Sequence, residues 1–155
     1  RPIQKQDNVQ IAALIRQVLT DMNVPKVGTA YADPQLDCMF ETYSKSKSIY
    51  YVIESQDLIL GGAGISQLEN EAATICELQK MYFLPGARGL GLGHQMIQKC
   101  LQRARDFGYQ KCYLETMPYM EAAQQLYKKV GFEYICALMG NTGHGSCPVW
   151  MLKDL

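Results

Sequence analysis

Residues 84–98, LPGARGLGLGHQMIQ, place four glycines between an apolar run typical of a β-strand and an amphipathic run typical of a helix. Glycine has no Cβ atom, so its backbone adopts left-handed conformations and lets a ligand approach closely. A turn of this kind before a helix leaves backbone N–H groups unpaired at the positive end of the helix dipole. The stretch therefore predicts a strand, a loop and a helix, with an anion site in the loop that suits a pyrophosphate.

Two common phosphate-binding loops differ from this stretch. A P-loop has Lys and then Ser or Thr directly after its last glycine, whereas His94 and Gln95 occupy those positions here. The dinucleotide fingerprint G-x-G-x-x-G belongs to an early βαβ unit, and this chain has G-x-G-x-G without such a unit. Taken alone, the glycines are equally compatible with a tight strand-to-helix connection that binds nothing.

Hydrophobic periodicity along the chain indicates helices and strands that form one domain over residues 1–155. Pro and Gly residues mark several of the element ends. The helices are predicted at 7–22, 36–44, 96–107 and 118–130, and the strands at 48–55, 58–68, 73–84, 111–116, 132–139 and 147–152. This order predicts an α+β, or mixed α/β, fold.

The composition narrows the classes of partner. The 15 basic and 15 acidic residues balance, so the chain has no general attraction to nucleic acid or to a membrane surface. No apolar run approaches the roughly 20 residues that span a bilayer. Six cysteines are scattered without a C-x-x-C pair, and there are only two histidines, so zinc-ligand spacing is absent. We expect a reduced, cytoplasmic protein without a metal, nucleic-acid or membrane partner.

Two motifs together resemble those of the GNAT superfamily of N-acetyltransferases. Arg88, Gly91 and Gly93 form R-x-x-G-x-G after ELQKMYFLP, and AAQQLYKKVGF follows about thirty residues later. The N-terminal stretch 1–16 also resembles the superfamily's first strand and helix. The resemblance implies a mostly antiparallel central sheet with helices on both faces, splayed between the fourth and fifth strands to admit acetyl-CoA. It implies that the chain transfers an acetyl group from acetyl-CoA, its co-substrate.

The resemblance assigns the coenzyme contacts by position. The main chain of the MYF segment would pair with the pantetheine arm like an additional strand. The glycine loop would hold the pyrophosphate through backbone amides, with charge added by the arginine side chain. The implied contacts are Met81, Tyr82, Phe83, Arg88, Gly89, Leu90, Gly91, Leu92, Gly93 and His94. One position departs from the superfamily pattern, because Met120 stands where many members carry an Asn that contacts the pantetheine region.

Two residues are candidates for the proton transfers of amine acetylation. Glu77 matches the position of a general base that acts directly or through water, and strand alternation places it on the face of Gln79, Met81 and Phe83. Apolar neighbours would raise its pKa towards neutrality, although a structural ion pair would equally explain a carboxylate here. Tyr127 matches the tyrosine that protonates the leaving thiolate, although it also falls on an apolar helix face. A main-chain N–H near Met81 or Tyr82 would stabilise the oxyanion.

The acceptor site is the least defined part of the sequence. Two polar, glycine-rich loops, residues 24–34 and 140–147, could line it and are called the acceptor loops. Their candidate binding residues are Tyr31, Asn141 and His144. The first hypothesis is direct transfer to a primary amine of a small molecule in a ternary complex. Acetylation of a protein N-terminus or lysine is an alternative, and a non-catalytic acyl-CoA-binding module is another. Homodimers are common in the superfamily, so a homodimer is also an expectation.

Overall fold

The computed structural model describes residues 1–155 and contains one mixed sheet of six strands. The strands are β1 (Ile49–Ser55), β2 (Leu58–Gln67), β3 (Ile75–Phe83), β4 (Lys111–Thr116), β5 (Glu133–Ile135) and β6 (Val149–Asp154). Their order across the sheet is β1-β2-β3-β4-β6-β5. Only β3 and β4 are parallel, and the other neighbours are antiparallel. The expected mixed, mostly antiparallel fold is therefore confirmed.

Helices cover both faces of this sheet, as expected. They are α1 (Asn8–Asp21), α2 (Met39–Tyr43), α3 (Leu92–Asp106) and α4 (Glu121–Lys129). The apolar residues of α1 and α2 pack in one buried cluster with Tyr50 and Val52, whereas those of α3 and α4 pack in another with Leu78 and Leu114. Each helix buries one apolar stripe, which gives the sheet a core on each side. No helix combines the length and the apolar character needed to cross a bilayer.

Two predicted strands are shorter than the sequence indicates. The expected N-terminal strand is a single bridge between Pro2 and Tyr51, because the chain turns into a short 3-10 helix at Lys5–Asp7. The Asp7 carboxylate accepts a hydrogen bond from the Gln4 N–H and thereby closes this turn. The strand predicted at 132–139 ends at Ile135, and the following residues, 136–148, form a loop.

A β-bulge interrupts β3 at Lys80. Gly62 pairs with Tyr82 and Gly64 with Gln79, so β3 contains one more residue than β2 between these pairs. Lys80 has a φ of +50°, in the left-handed region. The extra residue reverses the alternation of side chains, so Met81 and Phe83 pack on the α3 side together with Leu78, their neighbour before the bulge. The expectation that Glu77 shares a face with Met81 and Phe83 is therefore wrong.

The sheet opens between β3 and β4. The two strands pair only from Ile75 to Glu77 on β3 and from Lys111 to Tyr113 on β4. Beyond these residues, β3 pairs on its other side with β2 alone. The predicted splay between two central strands is present, and it leaves the β4-facing edge of residues 78–83 without a strand partner.

Candidate active site

A cavity of about 480 Å³ lies where β3 and β4 separate. Its walls come from the bulged half of β3, the end of β4, the glycine loop, α1 and α4. Met81, Tyr82 and Phe83, expected to contact a pantetheine arm, all contribute to its lining. The edge left unpaired by the splay thus faces an open space of the size that ligand pockets occupy.

The glycine loop presents free backbone donors at one end of the cavity. The N–H groups of residues 89–94 donate to no acceptor in the chain. Gly89 and Gly91 have φ values of +75° and +74°, which glycine adopts at little cost, and Gly91 is the N-cap of α3 without a side-chain cap. This arrangement is an anion site in the sense predicted, because unpaired amides and the start of a helix dipole coincide.

The side chains of this loop have unequal positions. Arg88, Gly89, Gly91, Gly93 and His94 line the cavity. The Arg88 guanidinium donates from Nε to the Phe83 carbonyl oxygen at 2.9 Å, so part of its hydrogen bonding stabilises the loop itself.

The remaining loop residues have packing roles or face away. Leu90 and Leu92 do not line the cavity, so each can contribute only its backbone N–H to the anion site. A Cβ atom built at Gly93 would lie 3.0 Å from Leu126 Cδ2, so the glycine also lets α3 approach α4 closely. Gly93 thus serves packing as well as the loop.

Tyr127 lies on α4 with its hydroxyl at the cavity. The residue is 7% exposed, and its ring packs edge-on against Phe132 with centroids 6.0 Å apart. Its hydroxyl has no hydrogen-bond partner within the chain, and burial raises the pKa of Tyr127 to about 12. The phenol is therefore protonated near neutral pH and free to donate to a bound group.

Glu77 is buried beside the cavity but is not part of its lining. It is 5% exposed, and its Oε2 accepts a hydrogen bond from Gln79 Nε2 at 2.6 Å. Gln79 in turn accepts one from the Tyr43 hydroxyl at 2.7 Å. Burial raises the pKa of Glu77 to about 7, against an ordinary value of 4.5. The raised pKa of Glu77 agrees with the expectation from sequence. Met81 and Phe83, which were expected beside Glu77, lie on the other face of the sheet.

The two acceptor loops meet at the other end of the cavity. They contribute Thr29 and Cys147 to its lining, whereas the three residues singled out from sequence, Tyr31, Asn141 and His144, lie outside it. Asn141 is exposed, and Tyr31 packs under the Lys26 ammonium. His144 Nε2 lies 3.2 Å from Asp33 Oδ2, and this contact joins the two loops.

Three charged residues near the cavity belong to no sequence motif and were not predicted as site residues. Lys80 and Glu115 line the cavity, and Asp33 binds Lys80 at 2.8 Å. Although burial raises the pKa of Asp33, hydrogen bonds from His144 and Lys80 hold it below its ordinary value. The one local signal was a lysine directly before the apolar segment Met81–Phe83.

Met120 occupies the position where the superfamily often has Asn. It is the N-cap of α4 and lines the cavity, with its sulfur 3.6 Å from Thr116 Oγ1. The start of α4 is stabilised instead by Gln124, whose amide donates to the carbonyl oxygens of Met117 and Pro118. The chain therefore has no carboxamide side chain at this point of the cavity wall.

This chain is similar to known proteins in both sequence and fold. Residues 14–132 match the acetyltransferase (GNAT) family. The chain is 42% identical to the uncharacterized N-acetyltransferase YjgM of Escherichia coli K12, over 100% of this chain and 93% of that protein. A GNAT-family acetyltransferase from Staphylococcus aureus Mu50 superposes with a TM-score of 0.88, at 19% identity, covering 100% of this chain and 97% of that one. A phosphinothricin acetyltransferase from Sinorhizobium meliloti, solved with acetyl-CoA, gives a TM-score of 0.77 at 22% identity, covering 100% and 86%.

The split sheet, the free amides of the glycine loop and the cavity between them define an acetyltransferase. The chain belongs to the GNAT family, and the resemblance identified from its motifs is confirmed. It is accordingly an acetyl-CoA-dependent N-acetyltransferase rather than a non-catalytic binding module.

Proposed function

We propose that this enzyme transfers the acetyl group of acetyl-CoA directly to a primary amine of a small molecule, in a ternary complex. The observation that carries the proposal is a single cavity lined by the glycine loop, by Tyr127 and by both acceptor loops. Anion-binding amides, a proton donor and a space for a second substrate thus share one site, as direct transfer requires.

In this proposal the coenzyme lies along the unpaired edge of β3. The amides of residues 89–94 bind its pyrophosphate, with the Arg88 guanidinium alongside. The main chain of residues 81–83 pairs with the pantetheine amides, because this edge has no strand partner on the β4 side. The thioester then lies in the gap between the two strands, and a main-chain N–H near Met81 or Tyr82 stabilises its oxyanion.

The proposed chemistry needs three proton transfers, two from the amine nitrogen and one to the departing sulfur. Glu77 accepts a proton from the amine through water, since it lies beside the cavity rather than in its lining. The neutral nitrogen attacks the thioester carbonyl to give a tetrahedral intermediate, and the positively charged nitrogen of this intermediate then loses a proton to solvent. Collapse of this intermediate breaks the C–S bond, and the Tyr127 hydroxyl gives its proton to the departing thiolate. The products are an acetamide and coenzyme A, and solvent returns a proton to Tyr127.

Contacts between the acceptor loops favour a small acceptor over a protein segment. The Ser146 N–H donates to the Gly28 carbonyl oxygen at 3.1 Å, and the Ser146 hydroxyl donates to the Val27 carbonyl oxygen at 3.3 Å. Together with the contact of His144 and Asp33, these bonds hold the two loops against each other. A chain passing through the site would have to separate them. In this proposal His144 therefore shapes the acceptor site indirectly.

Thiol release from acetyl-CoA tests the proposal. A panel of small primary amines is compared with peptides that carry a free N-terminus or a lysine. We expect release with small amines and stoichiometric formation of the acetamide, followed by mass spectrometry. Acetylation of the peptides without turnover of any small amine would contradict the small-molecule proposal while leaving the acetyltransferase class intact.

A further inference from the structure

Two carboxylates near the acceptor end of the cavity lack a cationic partner. Neither Glu77 nor Glu115 takes part in any ion pair of the chain. They lie on the adjacent parallel strands β3 and β4, where the pairing ends. The third carboxylate of this region, Asp33, is matched by Lys80 and His144. The protein thus pairs one carboxylate of the region directly with a cation and leaves two outside any ion pair.

Glu115 has an incomplete set of hydrogen bonds. Its Oε1 accepts from the Tyr113 hydroxyl at 2.8 Å and from Thr142 Oγ1 at 3.0 Å. Its Oε2 is buried and has no partner, the only such side-chain atom in the structure. A buried carboxylate oxygen without a donor costs free energy, so an atom of this kind in a residue that lines a ligand cavity indicates a missing partner.

The Glu115 side chain is held in place for such a partner. Two donors on different elements, Tyr113 on β4 and Thr142 in the loop 136–148, fix the same oxygen and leave the other free. Glu115 also lines the cavity, so this residue borders the space that a ligand would occupy. Fixed orientation lowers the entropic cost of binding a donor.

We propose that Glu115 binds a second cationic nitrogen of the acceptor, so that the preferred substrates are small amines with two positively charged nitrogens. The inference rests on the proposed function and specifies its substrate class. The nitrogen to be acetylated gives up a proton through Glu77, and the other stays protonated and donates to the Glu115 carboxylate. Two separate carboxylates match a substrate with two nitrogens better than a substrate with one nitrogen.

The same residues disfavour an acceptor that carries a carboxylate, such as an α-amino acid. Lys80 is the cation at the acceptor end, and its side chain is 3% exposed and engaged by Asp33. The other cations of the lining, Arg88 and Lys129, lie on the glycine loop and on α4. An acceptor carboxylate would therefore face Glu115 without a free counter-charge.

A matched series of amines tests the proposal. We compare 1,4-diaminobutane, 4-amino-1-butanol and butylamine by thiol release, as ratios of kcat/KM. We expect the diamine to exceed butylamine by about ten- to a hundredfold, the range that a charge-assisted hydrogen bond supplies. Glu115→Gln keeps both hydrogen bonds to Oε1 but removes the charge, and it should reduce this ratio by a similar factor.

Two further variants sharpen the result. Glu71→Gln is the matched control, because Glu71 accepts from the Gly140 N–H of the same loop at 3.2 Å but lies outside the cavity. It should leave the diamine ratio unchanged. Glu115→Asp retracts the charge by one methylene, and it should shift the preferred chain length towards 1,5-diaminopentane even if Glu115→Gln folds poorly.

The outcomes separate the two proposals. Equal use of diaminobutane and butylamine by the parent enzyme would overturn the assignment of Glu115, as would a preference for the amino alcohol. An equal loss with all three amines in Glu115→Gln would also overturn it, because Glu115 would then serve the chemistry itself. Absence of thiol release with every amine, despite acetyl-CoA binding, would instead contradict the proposed function.

Discussion

The Lys80 ammonium lies 2.8 Å from the Asp33 carboxylate, and this ion pair ties the β-bulge of β3 to the segment between α1 and α2. A second contact acts on the same residue, because the Tyr50 hydroxyl donates to the Lys80 carbonyl oxygen at 2.8 Å. A left-handed conformation costs a residue with a Cβ atom about 1 kcal/mol or more. These two contacts offset that cost and keep β3 bent away from β4.

Removing the Lys80 charge should destabilise the fold. In Lys80→Met, the half-buried Asp33 keeps only His144, so we expect a loss of about 3 kcal/mol in the free energy of unfolding, measured by urea denaturation. The double variant Lys80→Met with Asp33→Asn should recover part of this loss, because the uncompensated carboxylate is gone. Equal stability of the parent and Lys80→Met would show that the ion pair does not stabilise the bulge.

Acetyl-CoA binding should depend on the left-handed glycines of the loop. Gly91→Val forces a β-branched residue to a φ of +74° and should weaken acetyl-CoA binding by at least about a hundredfold in a folded protein. Gly86→Ala is the control, since a Cβ atom there has no heavy atom within 4 Å and its φ is not positive. Calorimetry of both variants checks this. Parental affinity in folded Gly91→Val would remove the glycine loop from the coenzyme site.

The glycine loop and the helices were predictable because their signals are local. Gly108 and Gly131, for example, end α3 and α4 with φ values of +84° and +94°, as a glycine after an amphipathic stretch predicts. The motif spacing also gave the family. Such features depend on neighbouring residues alone, so the sequence contains them directly.

The bulge and the acceptor residues depend on contacts distant in sequence. Nothing local favours a left-handed Lys80, which requires Asp33 and Tyr50 from other elements. A shift of one residue then moved Met81 to the opposite face from Glu77, which reversed an inference based on strict alternation. Glu115 could not be predicted from local sequence either, because the environment of its unpartnered oxygen forms only when β4 and the loop 136–148 pack together.

The raised pKa of Glu77 predicts a pH-dependent stability. Because burial raises this pKa from 4.5 to about 7, the folded state binds the proton more tightly, and stability falls as the pH rises between these values. Glu77→Gln removes this effect and keeps an acceptor for the Gln79 amide. The melting temperature of Glu77→Gln relative to the parent should therefore increase from pH 5 to pH 8, by an amount equivalent to at most about 3 kcal/mol. A difference in melting temperature that stays constant from pH 5 to pH 8 would contradict the raised pKa of Glu77.

The same variant tests the base in catalysis. If Glu77 must be deprotonated, the pH profile of kcat/KM for an amine should contain a limb that rises through about pH 7. Glu77→Gln should lose this limb together with most of its turnover. The limb that belongs to the amine itself, at higher pH, stays in both proteins. A profile with the lower limb intact in Glu77→Gln would assign the proton to another acceptor.

Tyr127→Phe separates proton donation from packing, because it removes one oxygen and keeps the ring against Phe132. The hydroxyl bonds to nothing in the chain, so the melting temperature and the acetyl-CoA affinity should stay near those of the parent. If the phenol protonates the leaving thiolate, single-turnover acetyl transfer should slow by about a hundredfold to ten-thousandfold. Single-turnover rates are needed since slow product release would otherwise hide the defect. A near-parental rate would mean that the thiolate leaves unprotonated or takes its proton from water.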